Sequence, residues 1–264
     1  MVLCRSTLTT FRDMPSINQN LRAWDNDWGH DGSRWSLAWG SDASMWRHTV
    51  HARIGRFLPC ANLLEIGPGR GRLTEFLLPL CESYLGVDLA YTCVKACRAR
   101  FPSAKHARFT TTSGTELFAA GSASIDFAVS WESLVHADQS VLSSYLSELA
   151  RVLRPGASAF LHHSNLGAFI GKDGELEVEN PHWRDPGVSA ESVAELCKQH
   201  GLHVNVQECL QWAVPYYSDC FTLLRRPKDP TEPTPGIRRI SHIDMNGEMR
   251  VARQVTEGYW FTNR

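Results

Sequence analysis

Glu65, Gly67, Gly69 and Gly71 fall on alternate positions in the stretch LLEIGPGRGRL. An apolar run meets three glycines and a helical pattern follows at once, so side chains are cleared from one small volume. A turn of this kind lets a ligand come close to the backbone. A phosphate loop would end in Gly-Lys-Ser/Thr, but Gly71 is followed by Arg72 and Leu73. A dinucleotide fingerprint begun at Gly67 and Gly69 would need its third glycine at position 72, which is arginine. Glu65 instead sets a carboxylate on the strand before the turn, which suits a cationic amine. Asp88 lies 17 residues after Gly71, at the end of the next apolar run. A carboxylate there is placed to accept both hydroxyls of a ribose.

A ligand that joins an amino acid to an adenosine ribose meets both demands, and S-adenosylmethionine is such a ligand. LLEIGPGRG, YLGVDLA, SIDFAVSWESLVHAD and LARVLRPGASAFLHHSN resemble successive motifs of the class I S-adenosylmethionine-dependent methyltransferase family over residues 61–164. The later WRDPGVSAESVAELCKQHGLHVNVQECLQW and DCFTLLRR are similar to the family's closing helix and strand pair. HHSN, WRD and the Trp-rich N-terminus resemble small-molecule O-methyltransferases of sugars and bacterial secondary metabolites. The resemblance implies that Gly67, Pro68, Gly69 and Gly71 approach the methionine part, Asp88 takes the ribose and Leu89 flanks the adenine. Ser113, Gly114 and Thr115 stand where the family often has an acidic residue on the adenine amine, with Ser113 as substitute. Trp131 falls beside the adenine or sulfonium, or in the core.

These residues need elements to hold them. NLLEIG, SYLGVD, HARFTT, SIDFAVSW and SAFLHHS read as strands separated by helices at GRLTEFLLPLC, AYTCVKACRARF and SVLSSYLSELARVL. LHVNVQECL and DCFTLLRR add two more strands after the helix SAESVAELCKQHG, which opens on a Ser189–Ser192 capping box. Strands alternating with helices predict an α/β, Rossmann-like doubly wound fold, with a mostly parallel seven-stranded sheet and helices on both faces. Residues 1–57 read as a helical N-terminal extension, with 1–13 expected to be disordered. Residues 58–226 form the methyltransferase-like domain, with an acceptor loop near 165–188, and 227–264 a C-terminal appendage. Trp24, Trp28, Trp35, Trp39 and Trp46 either build the core of the extension or line a sugar-binding wall, with Trp39 and Trp46 expected at the cofactor mouth. Trp183, Arg184 and Asp185 form either an acceptor lid or a surface turn.

A hydroxyl acceptor needs a base, and histidine suits neutral pH. Open α/β sheets bind ligands at the carboxyl ends of their strands. Candidates there are His136 after the fourth strand and His162 or His163 at the end of the fifth. Alternation along a strand lets at most one of that pair face the site. Glu132 could orient a histidine or hold substrate. Asp138 reads as a helix N-cap, and the lack of further acidic ligands predicts no required metal.

The chain has 264 residues, a formal net charge of -1 and 43% hydrophobic residues. It lacks the basic footprint of a nucleic-acid binder. It also lacks the Asn/Asp-Pro-Pro-Tyr/Phe element of adenine N-methylation after the fourth strand. No stretch is long and apolar enough for a membrane span or a signal peptide, and the eight cysteines read as buried free thiols. The expectation is a cytoplasmic enzyme that methylates a hydroxyl of a small molecule, a sugar or glycosylated metabolite, and contacts neither nucleic acid nor membrane. An N- or C-methyltransferase and a non-catalytic S-adenosylmethionine-binding protein are the alternatives.

Overall fold

The computed structural model describes residues 16–28 and 31–260. The expected disorder of residues 1–13 and the thiol of Cys4 lie outside them. Helix α1 (Ile17–Trp24) opens on a capping box between Ser16 and Gln19. A 3₁₀ turn, Ser33–Trp39, leads to α2 (Asp42–Met45). Ser41 caps α2 by accepting from the Ser44 backbone N–H. A π-helical turn, Trp46–Val50, joins α2 to α3 (His51–Ile54). Then follow β1 (Cys60–Ile66), α4 (Thr74–Leu77), β2 (Cys81–Asp88), α5 (Tyr91–Arg100), β3 (Ala107–Thr111) and β4 (Ile125–Ser130). The chain continues through α6 (Gln139–Val152), β5 (Leu153–Ser164), α7 (Ala190–Gln199), β6 (His203–Leu210), β7 (Asp219–Arg225), β8 (Arg238–Ile243) and α8 (Met245–Trp260).

All eight strands form one sheet, in the order β3-β2-β1-β4-β5-β7-β6-β8. Strand β7 is antiparallel to β5 and β6, and the other strands run in a common direction. The expected seven-stranded sheet is therefore one strand short. The extra strand, β8, pairs in parallel with β6, Val206 opposite Arg238. It comes from the segment expected to be an appendage. Its sequence, RRISHI, follows a Pro-rich run that reads as a linker, and it covers the backbone edge that β6 would otherwise present.

The strand alternation separates two cores. Leu64 and Ile66 of β1 face one side, where they meet Leu142, Leu146 and Leu149 of α6 and Val193 and Cys197 of α7. Leu63 faces the other, with Val94 and Cys97 of α5, Met45 and Val50 from the N-terminal helices, and Met245 of α8. Helix α6 carries its apolar stripe at Val141, Leu142, Tyr145, Leu146, Leu149 and Val152. Asp138 is its N-cap, accepting from the Val141 N–H at 2.8 Å. The helix read at GRLTEFLLPLC is only α4 and a 3₁₀ turn at Leu78–Leu80, because Pro79 cannot donate to a continuing ladder.

Helix α8 meets the N-terminal helices. Glu248 of α8 accepts from Arg53 and Thr49, and Glu208 of β6 also accepts from Arg53. Burial alone would lower the Arg53 pKa, but the two glutamates more than offset it.

Gly71 carries a clear stability prediction. Its φ is +87°, and a Cβ there would lie 2.5 Å from Phe101 Cε2. Gly71→Ala is expected to cost about 1–3 kcal/mol from overpacking and a disallowed φ. In a chain of this size that lowers Tm by roughly 2–4 °C per kcal/mol, measurable by differential scanning calorimetry.

No helix among the described residues is long and apolar enough to cross a membrane. The described cysteines are free thiols.

Candidate functional site

Chain order reverses at β1, which lies between β2 and β4. Ligands of open α/β sheets sit beside the carboxyl ends of strands at such a point. A cavity of about 570 Å³ opens there. Glu65, Gly67, Pro68, Gly69, Asp88, Leu89, Gly114, Trp131, Glu132 and His136 all line it.

Asp88 ends β2 with a buried carboxylate. Its Oδ2 accepts from the Gly69 N–H at 2.9 Å and its Oδ1 from the Ala90 N–H at 2.8 Å. Each oxygen keeps a further lone pair for a ligand hydroxyl. Burial raises the Asp88 pKa to about 6, against the lowering effect of those two N–H groups. Gly67 and Gly69 hold φ of +72° and +57°. A Cβ on Gly67 would fall 1.9 Å from Ser133 Oγ, so the loop after β4 can approach only a glycine.

Glu65 is 2% exposed, and its Oε2 accepts from Thr74 Oγ1 at 2.8 Å and from the Tyr84 hydroxyl. Its Oε1 takes no hydrogen bond from the described residues. Burial raises its pKa to about 7, against the pull of both hydroxyls. The carboxylate thus both braces the strand and keeps one oxygen for a cationic group.

His136 is clamped between Trp24 and Trp183, each ring 5.4 Å from the imidazole. Its Nδ1 donates to the Trp183 carbonyl at 2.6 Å. That fixes the neutral tautomer with Nε2 as a bare acceptor, and no described residue occupies it. Burial, with Arg184 nearby, lowers the His136 pKa to about 3. Glu132, at φ +52°, pairs through Oε2 with Arg72, whose other arm donates to Ser36 Oγ at 2.9 Å. A non-glycine residue held at positive φ on a cavity lip is a common mark of a working site.

Neither His162 nor His163 lines the cavity. The fifth strand is covered on both faces, so neither parity reaches open space. His162 Nε2 donates to Asp219 Oδ1 at 2.9 Å, and its Nδ1 accepts from the Glu132 N–H at 3.3 Å. It therefore positions Glu132 from behind. His163, on the opposite face, bonds the Ser164 carbonyl and Thr222 Oγ1. Gly71 packs on Phe101 rather than on the cavity, while Ser113 and Thr115 bond each other outside it. Of the two tryptophans expected at the mouth, Trp39 lines the cavity; Trp46 stacks on Phe76.

Trp24 and Trp28, from α1 and the turn after it, and Arg184, from the loop before α7, also line the cavity, each in line with one of the two alternatives its sequence offered. Trp212, just after β6, and Met249 of α8 line it without having been singled out in the sequence. Trp28 lies across Gly69, 3.1 Å from where its Cβ would be. The dense tryptophan run was the available signal for a cavity wall. Nothing in the sequence pointed to Met249. The described residues include no group of three or more side chains able to hold a metal ion.

Residues 64–161 match the model of a methyltransferase domain family. The matched stretch runs from within β1 to within β5 and contains the glycine turn, Asp88 and His136. No curated protein matches the chain. Among solved structures, the N-methyltransferase NodS from Bradyrhizobium japonicum WM9, bound to S-adenosylhomocysteine, superposes with a TM-score of 0.57 at 18% identity, over 81% of this chain and 100% of that one. A protein described as a SAM-dependent methyltransferase from Methanosarcina mazei gives 0.51 at 17%, over 67% and 97%. The PH0226 protein from Pyrococcus horikoshii OT3 gives 0.52 at 15%, over 69% and 88%. At these identities the likeness is one of fold.

The residues lining the cavity fit S-adenosylmethionine, the cofactor that the sequence resemblance implies. Asp88 offers an open lone pair on each oxygen, Gly67 and Gly69 bring bare backbone to the cavity, and Glu65 keeps one oxygen for the amine. A pH dependence follows. A carboxyl raised on folding favours the folded state at low pH, and that contribution is lost as pH rises through about 6. The ionised carboxylate is the better acceptor for a diol, so ligand binding runs the other way. S-adenosylhomocysteine affinity is expected to fall below about pH 6, by up to ~10-fold per pH unit. Calorimetric titration from pH 5 to 8 measures it, and a flat profile would contradict the assignment of Asp88.

Proposed function

We propose that the chain transfers a methyl group to a hydroxyl of a small acceptor, a sugar or glycosylated metabolite, with His136 as general base. The observation that carries this reading is the bare Nε2 of His136 in the cavity that also holds Asp88 and the glycine turn. Bound S-adenosylmethionine supplies an electrophilic methyl on a sulfonium. The chain's own residues align the acceptor, keep water out and receive a proton.

His136 is neutral throughout the physiological range because burial holds its pKa at about 3. It is a weak base in the ground state. It can still accept the hydroxyl proton, because that proton becomes strongly acidic once the oxygen gains a methyl. The Trp183 carbonyl keeps the receiving tautomer, and Trp24 and Trp183 hold the ring plane. Tryptophan faces on the cavity wall also suit the apolar faces of a sugar. Orientation of this kind can remove about 7–11 kcal/mol of barrier.

The test is methyl transfer from labelled S-adenosylmethionine to metabolite fractions divided into small metabolites, nucleotide sugars and polysaccharide. Label in a base-stable ether is the expected result. Label on nitrogen or carbon would overturn the hydroxyl reading, and loss of label in EDTA would bring a metal into the reaction.

A further inference from the structure

We infer that the acceptor carries a carboxylate, and that Arg184 holds it against the cavity wall. This rests on the methyltransferase reading above and narrows the class of acceptor. Arg184 is 6% exposed and lines the cavity from the loop between β5 and α7. Its Nε donates to Asp219 Oδ1 at 2.9 Å and its Nη1 to the His182 carbonyl at 3.2 Å. Its Nη2 meets no acceptor among the described residues. The backbone is pinned as well. Asn180 Oδ1 accepts from the Arg184 N–H at 2.8 Å, and Asn180 Nδ2 donates to the Arg184 carbonyl at 2.7 Å. The guanidinium is therefore fixed in place before any ligand arrives.

A second donor on the same wall lacks a partner. Trp131 is 5% exposed, and its Nε1–H is buried with no acceptor among the described residues. Indole nitrogen and guanidinium can only donate. The two side chains are joined through His162, whose ring lies 5.3 Å from that of Trp131 and whose Nε2 shares Asp219 Oδ1 with Arg184. The nearby carboxylates are already committed, Asp219 to Arg184 and Glu132 to Arg72. A buried donor left unpaired is costly, so this wall calls for a group that only accepts. One guanidinium nitrogen remains open, and Arg72 is spent on Glu132 and Ser36. That supply matches a singly charged carboxylate better than a phosphate dianion.

Benzoate and benzamide are the probes, isosteric and differing in charge. The full chain, saturated with S-adenosylhomocysteine, is titrated with each by calorimetry, as are Arg184→Gln and Arg184→Lys. Benzoate is expected to bind at least ~10-fold more tightly than benzamide, the effect of one hydrogen bond to a charged group. The preference should vanish in Arg184→Gln and persist in part in Arg184→Lys. Equal binding of the two probes by the unaltered chain, or binding of neither, overturns the inference. If Arg184→Gln does not fold, the comparison on the unaltered chain decides alone. The S-adenosylhomocysteine titration is read separately, so failure of the cofactor site is told apart from failure of the carboxylate site.

Discussion

Asp88→Ala is expected to weaken S-adenosylhomocysteine binding by ~10²–10⁴-fold. Two hydrogen bonds to a charged group are lost, each contributing about 1.5–3 kcal/mol. The Gly69 and Ala90 N–H groups also lose their acceptor, so the turn loosens at the point where it meets ligand. Stability should fall too, by about 1–3 kcal/mol for each N–H left buried and unpaired. Asp88→Asn separates these effects. An amide has one accepting oxygen, so it can satisfy one N–H but sets its own NH₂ against the other. It should fold better than the alanine variant and still bind poorly. Calorimetric titration alongside thermal unfolding reads both. An Asp88→Ala variant that binds S-adenosylhomocysteine as the unaltered chain does would remove this carboxylate from the cofactor site.

His136→Ala should lower the rate of methyl transfer by ~10²–10⁴-fold while S-adenosylhomocysteine affinity stays within about threefold. Loss of cofactor affinity in step with rate would assign the imidazole to the pocket wall and not to the chemistry. The pH profile gives a second reading. Because the folded pKa is about 3, no acid limb from His136 is expected near pH 6.5. An acid limb near 6.5 that disappears in His136→Gln would contradict the burial of this ring. The same shift bears on stability. Below about 6.5 the unfolded chain takes protons that buried His136 and His163 refuse until about 3 and about 4. Their contribution to the folded state is therefore present at neutral pH and is lost as pH falls through that window.

Much of the cavity wall around the glycine turn was legible because it depends on local rules. A strand, a positive-φ turn and a carboxylate at the next strand end leave their marks in sequence as Ile66, Gly67, Gly69 and Asp88. The N-cap at Asp138 and the capping box at Ser189 are local too. The opposite wall of the cavity depends on contacts between distant segments. Trp24, Trp183 and His136 meet although more than a hundred residues separate the first from the others, and no periodicity records this. His162 misled because strand parity predicts a face, not whether that face is open; Trp131, Trp212 and Phe221 cover its ring. Strand β8 was hidden by the prolines before it. Gly71 has the same signature as Gly67, yet its neighbour is an aromatic ring of the core.

The clasp between α8 and the N-terminal helices sets an order on biogenesis. Met249 supplies cavity wall, Glu248 holds Arg53 and Thr49, and the Ala252 carbonyl accepts from Ser44 Oγ. A ribosome releases the segment that roofs the cavity well before the helix that latches it. Domains fold as units while synthesis proceeds from the N-terminus. The nascent chain can assemble its central strands early, but the roof has to wait for residues 245–256 to leave the exit tunnel. A message cut short upstream of α8 would yield a chain with the glycine turn and Asp88 in place and the cavity unlatched.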